Sequence, residues 1–181
     1  LNFDYLPYLG PDTDAREVLR DLMTAYGHDV WNYAFLICKR TDLADDITQD
    51  TFLKAFRHLS TFRGQSSVRT WLLSIARNTA YDYRKTGYFR RVFLSDAVER
   101  GGVHPSAESE ALGNMVSHEL WEHVLKLPVK QREALILYAH HQLKIKEIAD
   151  LLKLSEGTVK SRIFKARMKL LQMIGEREQY G

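Results

Sequence analysis

Residues 145–164 read IKEIADLLKLSEGTVKSRIF, and their spacing decides the fold. A short segment with Ile145, Ile148, Ala149 and Leu152 along one side ends at Lys153-Leu154, and Ser155 stands where a hydroxyl caps the next helix. Beyond it, Val159, Ile163, Ala166 and Leu170 recur at intervals of four, three and four, the stripe of a helix buried along one side. Thr158, Ser161, Arg162, Lys165 and Lys169 project from a different face. The pattern predicts a helix-turn-helix. Its stripe holds the second helix rigid, and its polar face is free to enter a major groove, where hydroxyls and long cationic groups reach phosphates and base edges. For this segment alone, an ordinary helical hairpin with a solvated basic face is the competing reading.

Apolar positions recur at three and four rather than two through almost every long segment, so the fold class is all-α. The expected architecture is two small helical domains, 1–85 and 114–181, joined by a flexible linker at 86–113. Asp14-Ala-Arg-Glu17 has capping-box spacing and opens a helix to about Lys39, with Leu19, Leu22, Met23, Tyr26, Val30, Tyr33 and Ile37 on its inner side. Helices at about Leu43–Leu59 and Val68–Lys85 follow, separated by the polar loop Thr61–Ser67. Glycines at 87, 101, 102 and 113 with Pro105 mark the linker, in which Phe89, Val92, Phe93 and Leu94 are able to dock on a surface. Past it, a helix runs to Lys126, Pro128 starts another reaching about His140, and the helix-turn-helix completes the domain at Ile145–Leu152 and Glu156–Ile174.

A chain of 181 residues, 45% hydrophobic and 27% charged, has enough apolar content for two modest cores. The formal net charge of +3 conceals a segregation. Residues 1–50 carry 4 Lys+Arg against 10 Asp+Glu, residues 51–100 carry 10 against 3, and residues 101–181 carry 12 against 10. A basic surface for a polyanion and a separate acidic surface for a basic partner would account for this. Cys38, the single cysteine, lies in an apolar run and reads as a buried small hydrophobe in a reducing compartment. No stretch has the apolar length of a membrane span, and LNFDYLPYLGPDTDAR lacks the layout of a signal peptide, so the expected location is cytoplasmic.

Asp42, Asp45, Asp46 and Gln49, with Asp50 beside them, form an acidic stripe on the second helix, while Phe52 and Phe56 supply apolar contacts. Like charges on one face repel, which suggests docking to a basic partner; a favourable position on the helix dipole is the alternative for the first turn. The stretch FRGQSSVRTWLLSIARNTAYDYRK at 62–85 mixes aromatics with cations. Leu72, Ile75 and Ala76 suit packing, whereas Arg77, Asn78, Tyr81 and Arg84 present planar groups that stack on unpaired bases and hold phosphates. Trp71 is equally readable as a core anchor and as a base-stacking surface.

Little supports an enzyme. His118 and Glu122 share a helix face beside His123, but no further ligand completes a metal set, and adjacent His140 and His141 point apart on a helix. A nucleotide-binding glycine loop and a nucleophile motif are both lacking. The expectation is no catalytic residue, no metal and no cofactor.

Four segments in order, ADDITQDTFLKAF (44–56), the basic aromatic stretch, LPVKQREALIL (127–137) and the 145–164 motif with its following KARMKL, give a chain that resembles bacterial sigma factors of the extracytoplasmic-function class. The resemblance spans about Asp14 to Ile174 and implies a transcription initiation factor that binds core RNA polymerase and opens promoters. It places Asp45, Asp46, Gln49, Asp50 and Phe52 at core polymerase. It places Arg63, Gln65, Ser66, Ser67, Thr70, Trp71, Arg77, Asn78, Tyr81 and Arg84 at the melted minus-ten element. Ser155, Thr158, Lys160, Ser161, Arg162, Phe164, Lys165 and Arg167 fall at duplex minus-thirty-five DNA. The family often carries Arg where this chain has Lys160 and Lys165, and lysine cannot form the forked contact to guanine, which favours phosphate contact there. The resemblance also implies an anti-sigma factor, frequently membrane-anchored in the family. A stand-alone helix-turn-helix regulator explains the C-terminal half equally well, but leaves the acidic stripe and the basic aromatic helix unrelated.

Overall fold

In a computed structural model, residues 3, 5–8, 10, 14–85 and 115–178 are described, with side-chain burial in the second part running from 120 to 175. The linker proposed at 86–113, its four apolar docking residues and the side chain of His118 lie outside the described residues. Seven helices are described: α1 (Ala15–Cys38), α2 (Thr41–His58), α3 (Val68–Lys85), α4 (Met115–Lys126), α5 (Val129–Ala139), α6 (Ile145–Leu152) and α7 (Glu156–Glu178). None of the described helices is long and apolar enough to cross a membrane.

Helix α1 begins where the Asp14 carboxylate accepts from the Arg16 amide at 2.8 Å. It stops because Lys39 adopts a left-handed conformation, φ 60°, and returns its N–H to the Phe35 carbonyl. Val18, Leu22, Val30, Tyr33 and Ile37 are buried, and the helix packs on α2 and α3. Each fully buried aliphatic or aromatic side chain here contributes about 1.5–3 kcal/mol. Met23, expected on the inner side, is 49% exposed: neighbours one residue apart diverge by about 100° around a helix, and Leu22 takes the inward position. Phe52 is a second correction. It is 2% exposed and belongs to the core between the first three helices, so it is unavailable to a partner. In α3, Ser67 Oγ accepts from the Thr70 amide and caps the helix. Near the N-terminus, Phe3 and Leu6 are buried, and the short 3-10 turn Leu6–Tyr8 rests on another at Leu59–Thr61.

The second bundle is organised around α5. Residues 132–137 are buried on every side of that helix, since α5 packs on α7 and α6 and also against α1 of the first bundle. Pro128 stands at its N-cap, one position before the first helical turn. Helix α6 ends with Lys153 left-handed, φ 55°, and Ser155 Oγ then accepts from the Thr158 amide at 3.2 Å to start α7. Val159, Ile163 and Ala166 are buried along α7, with Leu170 half-buried, as the sequence spacing predicts.

Two charged residues of α5 join the bundles. Arg132 donates to the Leu36 carbonyl of α1 and to the Leu125 and Leu127 carbonyls, tying the end of α4 to the end of α1. Burial pushes its pKa down to about 10, which leaves it cationic at neutral pH. Glu133 accepts from Tyr33, Arg77 and Tyr81, at 3.0, 2.8 and 3.1 Å. A third junction lies at the end of α5, where Arg69 donates to Asp29, to the His141 carbonyl and across to His141 Nδ1. Burial, with His140 and Arg69 adding to it against the opposing pull of Asp29, drives the His141 pKa down to about 3.

Because that folded-state pKa lies below the ordinary imidazole value, the unfolded chain binds the extra proton between about pH 6.5 and 3. The stability His141 contributes as a neutral group is therefore present above about pH 6.5 and is lost as pH falls through that window. Acidification from pH 7.5 to 5.5 should lower stability by about 1 kcal/mol through this residue. Urea unfolding of the chain and of its His141→Asn variant at both pH values measures it, as the part of the pH response missing from the variant.

Candidate nucleic-acid interface

The start of α7 is a concave, cationic surface. Ser155, Gly157, Thr158, Ser161, Arg162 and Lys165, with Lys130 and Gln131 from α5, line an open cleft of about 530 Å³. Hydroxyls at the mouth and three cations around it suit phosphate and base edges, and the unpaired amides of a helix start favour an anion. Lys160 is exposed nearby on the same turn of α7. Phe164 and Arg167 fall elsewhere. Phe164 is 64% exposed and joins Met168 and Leu171 in an apolar groove flanked by Lys165 and Lys169. The Arg167 guanidinium lies over the Tyr138 ring, 5.2 Å from its centroid. Lys130 and Gln131 were not legible in the helix-turn-helix pattern, since they reach the cleft from another helix.

A second surface is built by the loop before α3. Arg63, Gln65, Ser66 and Ser67 are exposed, and Asn78 is exposed further along the helix. Gly64 turns the loop with φ 67°, and a Cβ there would lie 3.0 Å from Cγ of Pro7. Thr70 is buried and bonded to Ser67, so it supports the loop from beneath rather than facing a ligand. Trp71 packs on Phe62, ring centroids 4.9 Å apart, and is half-buried, so part of its ring remains accessible. Arg77 and Arg84 flank the Tyr81 ring at 4.6 and 5.6 Å, a cation–aromatic stack on α3.

The third surface is the exposed side of α2. Asp46, Gln49, Leu53 and Phe56 recur at three, four and three, and all are exposed, Leu53 at 45%. The acidic stripe is less isolated than its sequence suggests. Asp42 pairs with Arg40, Asp45 accepts from the Trp31 indole at 2.7 Å, and Asp50 accepts from the Tyr83 hydroxyl at 2.8 Å. Burial first, and then the Asp50 carboxylate, push the Tyr83 pKa up to about 12. Asp46 and Gln49 thus keep the freest polar surface of the group, with Leu53 in the apolar position expected of Phe52.

Asp29, His140 and His141 bring potential ligand atoms within 4.8 Å of one another. The Arg69 guanidinium already bonds both Asp29 and His141, which places a fixed cation where a metal would sit.

Two conserved-domain descriptions match the chain in order: sigma-70 region 2 over residues 22–88 and sigma-70 region 4 over 117–170. The ECF RNA polymerase sigma factor SigM of Bacillus subtilis is 31% identical over 150 residues, covering 83% of this chain and 91% of the relative. The chain belongs to the ECF sigma factors. The ECF RNA polymerase sigma-E factor of Escherichia coli is 36% identical over 158 residues, covering 81% of each chain. Among solved structures, the sigma factor RpoE of Bartonella quintana, in complex with the anti-sigma factor NepR, aligns with TM-score 0.73 and 26% identity over 88% of this chain and 98% of that one. CnrH, in complex with the cytosolic domain of CnrY, aligns with TM-score 0.63 and 25% identity over 89% and 90%.

This sigma factor is accordingly a promoter-specific transcription initiation factor and not an enzyme. Region 2 spans the α2 face and the α3 loop, and region 4 contains the α7 cleft, so the three surfaces fall within the matched segments. In this sigma factor, Pro7 of the N-terminal turn lies so close to the loop of region 2 that a side chain at Gly64 would be crowded. Gly64→Ala should destabilise the chain by about 1–2 kcal/mol, because alanine is strained in the left-handed region and its methyl presses on the proline ring. Urea denaturation measures the loss.

Proposed function

We propose that the three surfaces divide the work of initiation. The α2 face carrying Asp46, Gln49, Leu53 and Phe56 docks on core RNA polymerase, with its mixed acidic and apolar character suited to a basic helical partner. The cleft at the start of α7 reads the minus-thirty-five duplex, with Arg162 and the hydroxyls of Thr158 and Ser161 toward the groove and Lys130, Lys160 and Lys165 toward phosphates. The loop Arg63–Ser67, Asn78 and the aromatic stack of Arg77, Tyr81 and Arg84 receive minus-ten bases after strand separation. Unpairing costs a few kcal/mol, and stacking at about 1–3 kcal/mol per base offsets it. The carrying observation is the convergence of hydroxyls and cations from α5 and α7 on one open cleft.

The domains assigned are 1–85 and 114–181, with 86–113 as linker, and the setting is cytoplasmic. An anti-sigma factor is the proposed regulator, supported by the two relatives solved in complex with such partners. The apolar groove of Phe164, Met168 and Leu171 suits protein better than a phosphate backbone, and we assign it to a protein partner.

Run-off transcription with core polymerase on a promoter panel tests the division. Arg162→Ala should lower promoter-dependent transcripts by about 5- to 160-fold, the equivalent of a lost DNA contact of about 1–3 kcal/mol, with core binding intact. Asp46→Arg should instead weaken core binding and leave the DNA affinity of the α7 cleft unchanged. Loss of the same step in both variants would refute the assignment.

A further inference from the structure

The carboxylate of Glu133 is buried, its side chain 1% exposed, on a helix that also carries the DNA-reading half of the protein. Its ligands all come from the other bundle: Tyr33 on α1, Arg77 and Tyr81 on α3. Two of the three, Arg77 and Tyr81, are groups assigned above to minus-ten DNA. Arg77 Nε and the Tyr81 hydroxyl lie 2.8 and 3.1 Å from separate oxygens of the same carboxylate, while the Arg77 guanidinium also covers the Tyr81 ring.

A carboxylate presents to a guanidinium and a phenol what a nucleic-acid phosphate presents, a delocalised anion with two accepting oxygens. We infer that Glu133 acts as an internal phosphate substitute: it latches region 4 onto region 2 and fills, in the free chain, the anion position that single-stranded promoter DNA takes on Arg77 and Tyr81. The inference rests on the minus-ten assignment of those two residues. Closure and strand capture are then mutually exclusive, because the same Nε–H and hydroxyl cannot serve both anions.

The other two surfaces stay open in the closed form. The α2 face and the α7 cleft are exposed while the latch is shut, so polymerase docking and duplex reading can precede opening. Arg132 on Leu36 and Arg69 on Asp29 and His141 hold the same junction at its flanks, and neither occupies Tyr81 or Arg77. Glu133 bonds the strand-capturing groups Arg77 and Tyr81 directly and so couples closure to them.

The test uses the full chain carrying donor and acceptor dyes at Arg57→Cys on α2 and Lys146→Cys on α6, both exposed positions. Cys38 is buried with its thiol pushed up to about 11, and it resists labelling. Energy transfer reports the distance between the bundles, and anisotropy of a fluorescein-labelled single-stranded oligonucleotide of mixed sequence reports strand binding. Glu133→Gln keeps the shape and removes the anion; it should lower energy transfer and tighten oligonucleotide binding at least fivefold, and Arg77→Ala added to it should abolish that gain. Tyr33→Phe removes one bond to Glu133 without touching the DNA-facing groups, and should shift both readouts in the same direction by a smaller amount. Circular dichroism melts show that each variant is folded, and Tyr33→Phe decides alone if Glu133→Gln is not. Unchanged energy transfer and unchanged binding in a folded variant would overturn the latch. Opening without any gain in strand binding would overturn the assignment of Arg77 and Tyr81 to DNA, and the substitution with it, and the distance readout separates that failure from the first.

Discussion

The middle of helix α5, residues 132–137, is buried on all sides, yet it begins with an arginine and a glutamate in adjacent positions, and each must find partners or the fold loses several kcal/mol. Arg132 satisfies its Nη1 within its own bundle, on the Leu125 and Leu127 carbonyls, but its Nε and the whole Glu133 carboxylate bond across the junction. Arg132 reaches the last turn of α1, and Glu133 reaches two tyrosines and an arginine across the junction. The demand that buried charge be satisfied therefore sets how the two halves meet. The buried apolar residues of both bundles form one continuous core, and the directional bonds of Arg132 and Glu133 add a polar specification to where its two parts meet.

Much of the local structure was legible because its signals are short in range. The helix-turn-helix, its Ser155 cap and its buried stripe follow from spacing alone, and so do the limits of α3. Side-chain direction was less legible where two large apolar residues adjoin. Leu22 and Met23, or Phe52 and Leu53, are equivalent in composition, and only the packing of neighbouring helices decides which turns inward. The acidic stripe misled in another way, since its partners Trp31 and Tyr83 come from other helices and no helical periodicity reveals them. Glu133 had a visible signal, a charged pair preceding an apolar run in QREALIL, but its ligands are 52 to 100 residues away in sequence.

The binding surfaces differ in how firmly they are held. The α7 cleft stands on a rigid stripe with its cap in place, whereas the α2 face is a helix side that needs no preparation beyond exposure. The aromatic stack on α3 is the surface most engaged by the rest of the molecule.

The closeness of Pro7 to Gly64 gives the turn Leu6–Tyr8 a place in the architecture of the loop that follows α2. Loop and turn form one unit although more than fifty residues separate them in sequence. A loop carrying a side chain at position 64 would be crowded by the Pro7 ring, so exchange of the loop between relatives would need the turn at Leu6–Tyr8 to travel with it.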